Sequence, residues 1–139
     1  MDTLTPEKRS WNMSRIKAKN TSPERRLRTL LHRSGFRFRL HAHDLPGKPD
    51  IVLPKYRTVI FVNGCFWHRH EGCPFAYIPK SRTEFWLPKF QKTIERDLQK
   101  SRELECAGWN VIVAWECEIK SAPEQTLARV IDEMTVHHE

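Results

Sequence analysis

The sequence lacks the long apolar segments of a membrane protein. Its longest apolar runs, such as Val111–Trp115, have about five residues, whereas about 20 are needed to span a bilayer. Its first residues show no basic region followed by an apolar stretch, so we expect no secretory signal. Internal repeats and low-complexity tracts are lacking too. We therefore expect a cytoplasmic protein without a membrane partner, whose residues 1–139 form a single domain.

Acidic residues are fewer than basic ones. The chain has 24 Lys and Arg against 17 Asp and Glu, a formal net charge of +7. Many of the basic residues lie within the first 40 positions: Lys8, Arg9, Arg15, Lys17, Lys19, Arg25, Arg26, Arg28, Arg33, Arg37 and Arg39. Such clustering indicates a polyanion such as nucleic acid, and a basic surface without a partner is the alternative.

Helix caps, apolar spacing and turn residues predict an α/β fold. Helices are expected over about 5–19, from Ser22-Pro23 to Ser34-Gly35, over about 83–106 and from Pro123 to about Val136. Strands are expected over Phe36–Leu40, Asp50–Leu53, Thr58–Val62 and Trp109–Trp115, the middle two as a hairpin and the last buried on both faces. This order predicts a mixed β-sheet flanked by helices, with residues 1–20 and 118–139 as helical ends.

Three potential metal ligands lie within nine residues in the loop over 63–82. Cys65, His70 and Cys73 are thiol and imidazole donors, which zinc prefers in a tetrahedral site. The loop has little apolar periodicity, so a structural zinc ion would stabilise it. The fourth ligand must come from elsewhere, and Cys117, after the last strand, is better placed than Cys106 at a helix end. A disulfide framework is the alternative, which the cytosolic setting disfavours.

Asp50, Glu24 and His68 are candidates for chemistry. A carboxylate at the start of a strand, such as Asp50, can hold Mg²⁺ against a phosphate, although an Asp after Pro is usually a turn residue. Glu24 could contribute from the first turn of its helix, where an acid ordinarily interacts with the helix dipole. If His70 binds zinc, His68 is free to act as a base near neutral pH.

Aromatic side chains accompany these residues. Phe66, Trp67 and Trp86 are bulky rings in segments that cannot bury all of them. Exposed rings among basic residues can stack on bases or insert between base-pair steps. Packing within the core is the alternative for each ring.

Several segments together resemble the very-short-patch repair (Vsr) family of mismatch endonucleases. They are Val62 to His70 with its G-C-F-W-H segment, Cys73, Thr83-Glu84-Phe85-Trp86 and Trp115-Glu116-Cys117. The resemblance extends from about Arg9 to about Cys117. It implies a restriction-endonuclease-like fold, a mixed sheet that carries a metal-dependent phosphodiesterase site and a structural zinc site.

The resemblance also implies roles for individual residues. Asp50 would bind magnesium together with the backbone carbonyl of Val62, and His68 would be the general base, assisted by Glu24. The zinc ligands would be Cys65, His70, Cys73 and Cys117. The residues that contact DNA would be Phe66, Trp67 and Trp86 beside the mismatch, with Met13 and Ile16 on the minor-groove side. The family also has an acid at the position of Asp97.

The function implied is a nick in duplex DNA on the 5′ side of the thymine in a T:G mismatch, by magnesium-dependent hydrolysis. We expect a monomer that acts on mismatched double-stranded DNA at the bacterial nucleoid. A zinc-dependent DNA-binding module without catalysis and a related nuclease for other distorted or invading DNA are the alternatives.

Overall fold

The computed structural model describes residues 21–138 and, within them, the side chains of residues 21–136. Four helices are described: α1 (Ser22–Arg33), α2 (Thr83–Cys106), α3 (Glu116–Ser121) and α4 (Pro123–His138). The four strands are β1 (Arg39–Leu40), β2 (Ile51–Leu53), β3 (Thr58–Asn63) and β4 (Asn110–Trp115). The first helix predicted from the sequence, about 5–19, lies outside the described residues. None of the described helices has the length and apolar character needed to cross a membrane.

The strands form one mixed sheet in the order β1-β2-β3-β4. β1, β2 and β3 pair antiparallel, and β4 lies parallel to β3, to which it is connected through α2. The predicted hairpin is therefore confirmed, with a 3₁₀ turn at Pro54–Tyr56. Parallel pairing brings the ends of β3 and β4 to the same edge of the sheet, and antiparallel pairing brings the start of β2 there as well.

Alternating side chains of the sheet pack against helices on both faces. Ile51, Ile60 and Ile112 lie in a core with apolar residues of α1, α3 and α4. On the other face, Val52 and Val59 pack with Leu104 of α2. Helices on both faces of a mixed sheet agree with the architecture predicted from the sequence.

The expectation that the last strand is buried on both faces was wrong. In β4 only Ile112 and Ala114 are fully buried, while Val111 and Val113 are half-buried. Val113 lines a cavity between the sheet and α2, which keeps that face partly open.

The predicted strand over Phe36–Leu40 was also too long. Only Arg39 and Leu40 pair with β2. The partner strand ends at Leu53, because Pro54 lacks the N–H that would continue the ladder. Phe36 and Phe38 pack against the core without joining the sheet.

The start of α1 differs by one residue from the prediction. The N-cap is Thr21 and not Ser22, and the Thr21 hydroxyl accepts a hydrogen bond from the backbone N–H of Glu24. Pro23 remains in the first turn, as expected. The helix therefore begins where its capping residue satisfies an exposed N–H group.

Candidate active site and metal centre

A Cys/His cluster that could bind a metal lies at the edge of the sheet where β3 and β4 end. One donor atom from each of Cys65, His70, Cys73 and Cys117 lies within 4.8 Å of the others. Cys65 follows β3, and Cys117 lies in the first turn of α3, directly after β4. The structure thus brings together the four residues predicted as ligands, whereas Cys106 is exposed at the far end of α2.

Local geometry orients the donors of the cluster. The His70 Nδ1 atom lies 3.4 Å from Cys117 Sγ, and its ring stacks on Trp115 at 4.2 Å between centroids. Burial raises the pKa of the Cys65 thiol to about 12, so a cation is required to hold it as a thiolate at neutral pH. A bound metal ion would therefore stabilise this cluster of three thiols and one imidazole, in which Cys65 is buried and the other three residues are half-buried.

Arg69 holds this loop together, a role that sequence reasoning missed. Its guanidinium donates hydrogen bonds to the backbone oxygens of Phe66, Ala76 and Tyr77, at 3.1, 2.7 and 3.1 Å. It also lies 3.8 Å from the ring centroid of Phe90. These contacts fasten the loop to α2 next to the cluster.

Asp50 stands at the same edge, in a cavity of about 860 Å³. Its Oδ2 atom accepts a hydrogen bond from the backbone N–H of Val62, at 2.7 Å. Val62 and His68 line the same cavity. The structure therefore brings together three of the residues predicted to act in catalysis or magnesium binding.

Glu24 reaches this region from the first turn of α1. The residue is 1% exposed, and its Oε2 atom lies 3.2 Å from Arg28 Nη1. It also lies 2.7 Å from Nε2 of His41, a residue that sequence reasoning missed. One donor atom each from Glu24, His41 and Asp50 lies within 4.8 Å of the others, so this is a second group that could hold a metal ion.

His68 is oriented by an acid on α2. Its Nδ1 atom lies 2.7 Å from Asp97 Oδ2, and both side chains are about one third exposed. The backbone N–H of His68 donates to the Gly64 oxygen at 3.1 Å, which fixes the start of the loop. Asp97, expected only to correspond to a family acid, is thus in direct contact with the candidate base.

Basic side chains surround the acids of the cavity. Lys48, Arg96 and Lys100 contribute to its lining. Gly47 passes so close to α2 that an added Cβ would lie 3.0 Å from the Cβ of Lys100. A cavity lined by both carboxylates and basic side chains is suited to a phosphodiester backbone and a metal ion bound to it.

The predicted DNA-contacting aromatics form a cluster beside the cavity. The Phe66 ring lies 5.3 Å from Trp67 and 5.6 Å from Trp86, between centroids. Trp86 is only 9% exposed and also stacks with Phe90. Phe66 and Trp67 are half-buried, so they present ring surface while Trp86 supports them. Met13 and Ile16 lie outside the described residues.

The environment of Asp50 makes stability depend on pH. Burial raises the pKa of this carboxyl from 3.8 to about 6, and the hydrogen bond from Val62 offsets only part of that increase. Between these values the folded chain retains a proton that the unfolded chain has lost. The free energy of unfolding therefore falls as pH rises through this window and stays lower above about pH 6.

Replacing Asp50 with Asn removes this cost. Without added magnesium, we expect the Asp50→Asn variant to match the wild type near pH 4 and to exceed its stability by up to about 3 kcal/mol at pH 8. Urea unfolding of both proteins at the two pH values measures the difference in their free energies of unfolding. The titration of other groups cancels in this difference, because both proteins contain those groups. An equal difference at both pH values would contradict the raised pKa.

Comparisons with known proteins agree on one family. A family model described as DNA mismatch endonuclease Vsr matches residues 1–73. The chain is 48% identical to the type II nicking enzyme V.XorIIP of Xanthomonas oryzae pv. oryzae, over 94% of this chain and 97% of the relative. It is 50% identical to the type II nicking enzyme V.NmeAIP of Neisseria meningitidis serogroup A, over 86% and 85%.

A third relative carries the family's name. The chain is 44% identical to the DNA mismatch endonuclease Vsr of Escherichia coli K12, over 85% of this chain and 75% of the relative. The resemblance noted in the sequence is thereby confirmed. The chain belongs to the Vsr family of DNA mismatch endonucleases.

Proposed function

We propose that this protein nicks duplex DNA on the 5′ side of the thymine of a T:G mismatch, and so initiates very-short-patch repair. Membership of a mismatch endonuclease family supports the activity. The observation that carries the site assignment is the shared cavity of Asp50, Val62 and His68, with basic side chains on its walls. The mixed sheet beneath it would be the core of a restriction-endonuclease-like fold.

The two donor groups suit different metals. Three thiols and one imidazole are typical ligands of structural zinc, and their spread of at most 4.8 Å is compatible with a tetrahedral site. We assign zinc to Cys65, His70, Cys73 and Cys117. Asp50 offers carboxylate oxygen, which suits magnesium, and the Val62 carbonyl is a further oxygen ligand for it. When bound there, magnesium would supply positive charge to the phosphate that is cleaved.

The chain's own residues account for the proton movements. The Nδ1 atom of His68 faces the Asp97 carboxylate, which leaves Nε2 to take a proton from the attacking water. Glu24 assists His68 through the hydrogen-bond network of the site. The water oxygen forms a bond to phosphorus as the bond to the 3′ oxygen breaks, the 3′ oxygen takes up a proton from solvent water, and the products are a 5′-phosphate and a 3′-hydroxyl. The walls, including Lys48 and Arg96, hold neighbouring phosphates and give no sequence information.

Selection of the mismatch rests on the aromatic cluster. A mismatched step costs less to unstack and deform than a paired one, so an inserted ring finds it more readily. Phe66 and Trp67 would enter beside the mismatch while Trp86 supports them, and Met13 and Ile16 would contact the minor groove. The enzyme would act as a monomer, since a single nick needs one active site, and it would work in the cytoplasm at the nucleoid.

A panel of DNA substrates tests the substrate assignment. The protein would be incubated with four kinds of DNA of the same sequence: a duplex with a T:G mismatch, duplexes with other mismatches, the fully paired duplex and the single strand. Each incubation would be carried out with and without magnesium. Magnesium-dependent nicking of the T:G duplex in preference to the others supports the proposal. Binding of duplexes without cleavage of any of them would indicate a DNA-binding module, and preferred cleavage of another substrate would indicate a related nuclease.

Removing the His68 imidazole tests the proton transfer. We expect His68→Gln to lower kcat by a factor of about 10² to 10⁴, the usual contribution of a general base. Asp97→Asn should cause a smaller loss and change the pH profile, because Asp97 only orients His68. Single-turnover nicking across pH 6 to 9 gives the rate of the chemical step and its pH profile for each variant. Glu95→Gln is the control, because Glu95 lies on α2 like Asp97 but is exposed. A loss of nicking in Glu95→Gln as large as that in His68→Gln would contradict the assignment of His68 as the general base.

A further inference from the structure

Three side chains from separate parts of the chain converge next to the proposed magnesium ligand. Glu24 comes from α1, His41 follows β1, and Asp50 precedes β2. One donor atom from each lies within 4.8 Å of the others, and the set contains two carboxylates and one imidazole. Two carboxylates this close repel each other when both are ionised, so the arrangement is stabilised by a proton or by a cation between them.

The backbone holds His41 in this position. Its N–H donates to the Asp50 carbonyl at 3.0 Å, next to the pairing of β1 with β2. The residue has φ 50°, a left-handed conformation that costs a non-glycine residue energy. Its side chain is only 16% exposed. The fold thus holds His41 in a strained backbone conformation and buries its ring next to Glu24 and Asp50.

We propose that His41 gives the Asp50 site a nitrogen ligand, so that this protein binds a transition-metal dication of the Mn²⁺ type there in preference to Mg²⁺. The location of the catalytic ion beside Asp50 rests on the proposed function. Magnesium prefers oxygen ligands and retains its waters, whereas first-row transition-metal dications, Mn²⁺ among them, accept an imidazole nitrogen more readily. A site with Glu24, His41 and Asp50 therefore binds Mn²⁺ more tightly than Mg²⁺, whereas a site with oxygen ligands alone would distinguish the two ions less.

The contact between His41 and Glu24 is compatible with metal binding. Nε2 and Oε2 are 2.7 Å apart, a hydrogen bond in which one proton lies between the two atoms. Adjacent ligands of an octahedral ion at about 2.1 Å are about 3 Å apart, so an ion can replace that proton after a small movement. The simpler alternative is that His41 only orients the Glu24 carboxylate, and the experiment separates the two.

Spectroscopy of bound Mn²⁺ provides the test. Full-length protein with zinc in its cysteine site would be titrated with Mn²⁺, and pulsed electron paramagnetic resonance would detect modulation from a coordinated ¹⁴N nucleus. His41→Gln retains a hydrogen-bonding side chain and removes the imidazole. His43→Gln and His68→Gln are matched controls, because both histidines line the same cavity.

The proposal predicts ¹⁴N modulation in the wild type and both controls, and its loss in His41→Gln. The Mn²⁺ dissociation constant should rise at least about tenfold in that variant, since even outer-shell partners change metal affinity by 10-fold to 100-fold. The Mg²⁺ constant, from competition, should change less. Bound Mn²⁺ without nitrogen modulation, modulation that survives His41→Gln, or no Mn²⁺ binding at millimolar concentration would each overturn the proposal. Failure to nick DNA with either ion would instead contradict the proposed function.

Discussion

Replacing Asp50 with Asn is expected to lower nicking of a T:G duplex by a factor on the order of 10³ or more. The carboxylate is the proposed anchor of the catalytic metal, and stabilisation by such an ion amounts to several kcal/mol, of which about 4 kcal/mol corresponds to this factor. The neutral amide has nearly the same shape, and its oxygen can still accept the hydrogen bond from Val62. Single-turnover nicking at saturating protein measures the loss.

Two further measurements separate chemistry from folding in this variant. Asp50→Asn should bind the mismatched duplex with little change, because most of the affinity comes from contacts with phosphates. It should also be at least as stable as the wild type at neutral pH, since it removes a buried carboxylate. Asp44→Asn is the matched control: Asp44 lies in the same loop, with a side chain 64% exposed, and pairs with Arg39. Full activity in Asp50→Asn would exclude Asp50 as a metal ligand.

Removing one ligand of the cysteine cluster is expected to cause the second large effect. In Cys117→Ser we expect loss of the bound zinc, loss of nicking, and a decrease in the free energy of unfolding of several kcal/mol. The loop over 64–82 contains little regular structure, so a zinc ion bound to the cluster would contribute much of its stability. For a chain of this size the change corresponds to a fall in Tm on the order of 10 °C or more.

Cys106→Ser is the control for this experiment. It changes the same residue type, but Cys106 is exposed and does not belong to the cluster. Metal content by mass spectrometry, thermal unfolding and nicking would be measured for both variants. A Cys117→Ser protein that retains one zinc per chain and the wild-type Tm would contradict the assignment of the four ligands.

The sequence predicted those features whose causes are local. Pro23 marked the start of α1 to within one residue and Gly108 marked the end of α2, because capping and left-handed C-terminal residues act within one turn. Three of the four proposed metal ligands are near one another in the chain, and only Cys117 had to be chosen from outside. Parallel pairing of β3 with β4 then explains why Cys117 lies next to Cys65.

The missed features depend on contacts between distant segments. His41 was not a candidate, because nothing in its neighbourhood signals that Glu24, 17 residues earlier, lies 2.7 Å from it. Asp97 was noted only as a position where the family has an acid, and its contact with His68 appears only in the structure. The half-buried Val113 differs from a core strand residue because it borders the cavity. These departures from simple patterns gather around the candidate active site, where function competes with packing.

The most direct measurement is nicking of one duplex labelled at both 5′ ends that carries a single T:G mismatch, beside its fully paired T:A control. The account predicts a magnesium-dependent nick in the thymine strand alone, on the 5′ side of the mismatched thymine, with a 5′-phosphate and a 3′-hydroxyl at the break and an intact control. Tight binding with no cleavage of either duplex, or equal cleavage of both, would contradict it.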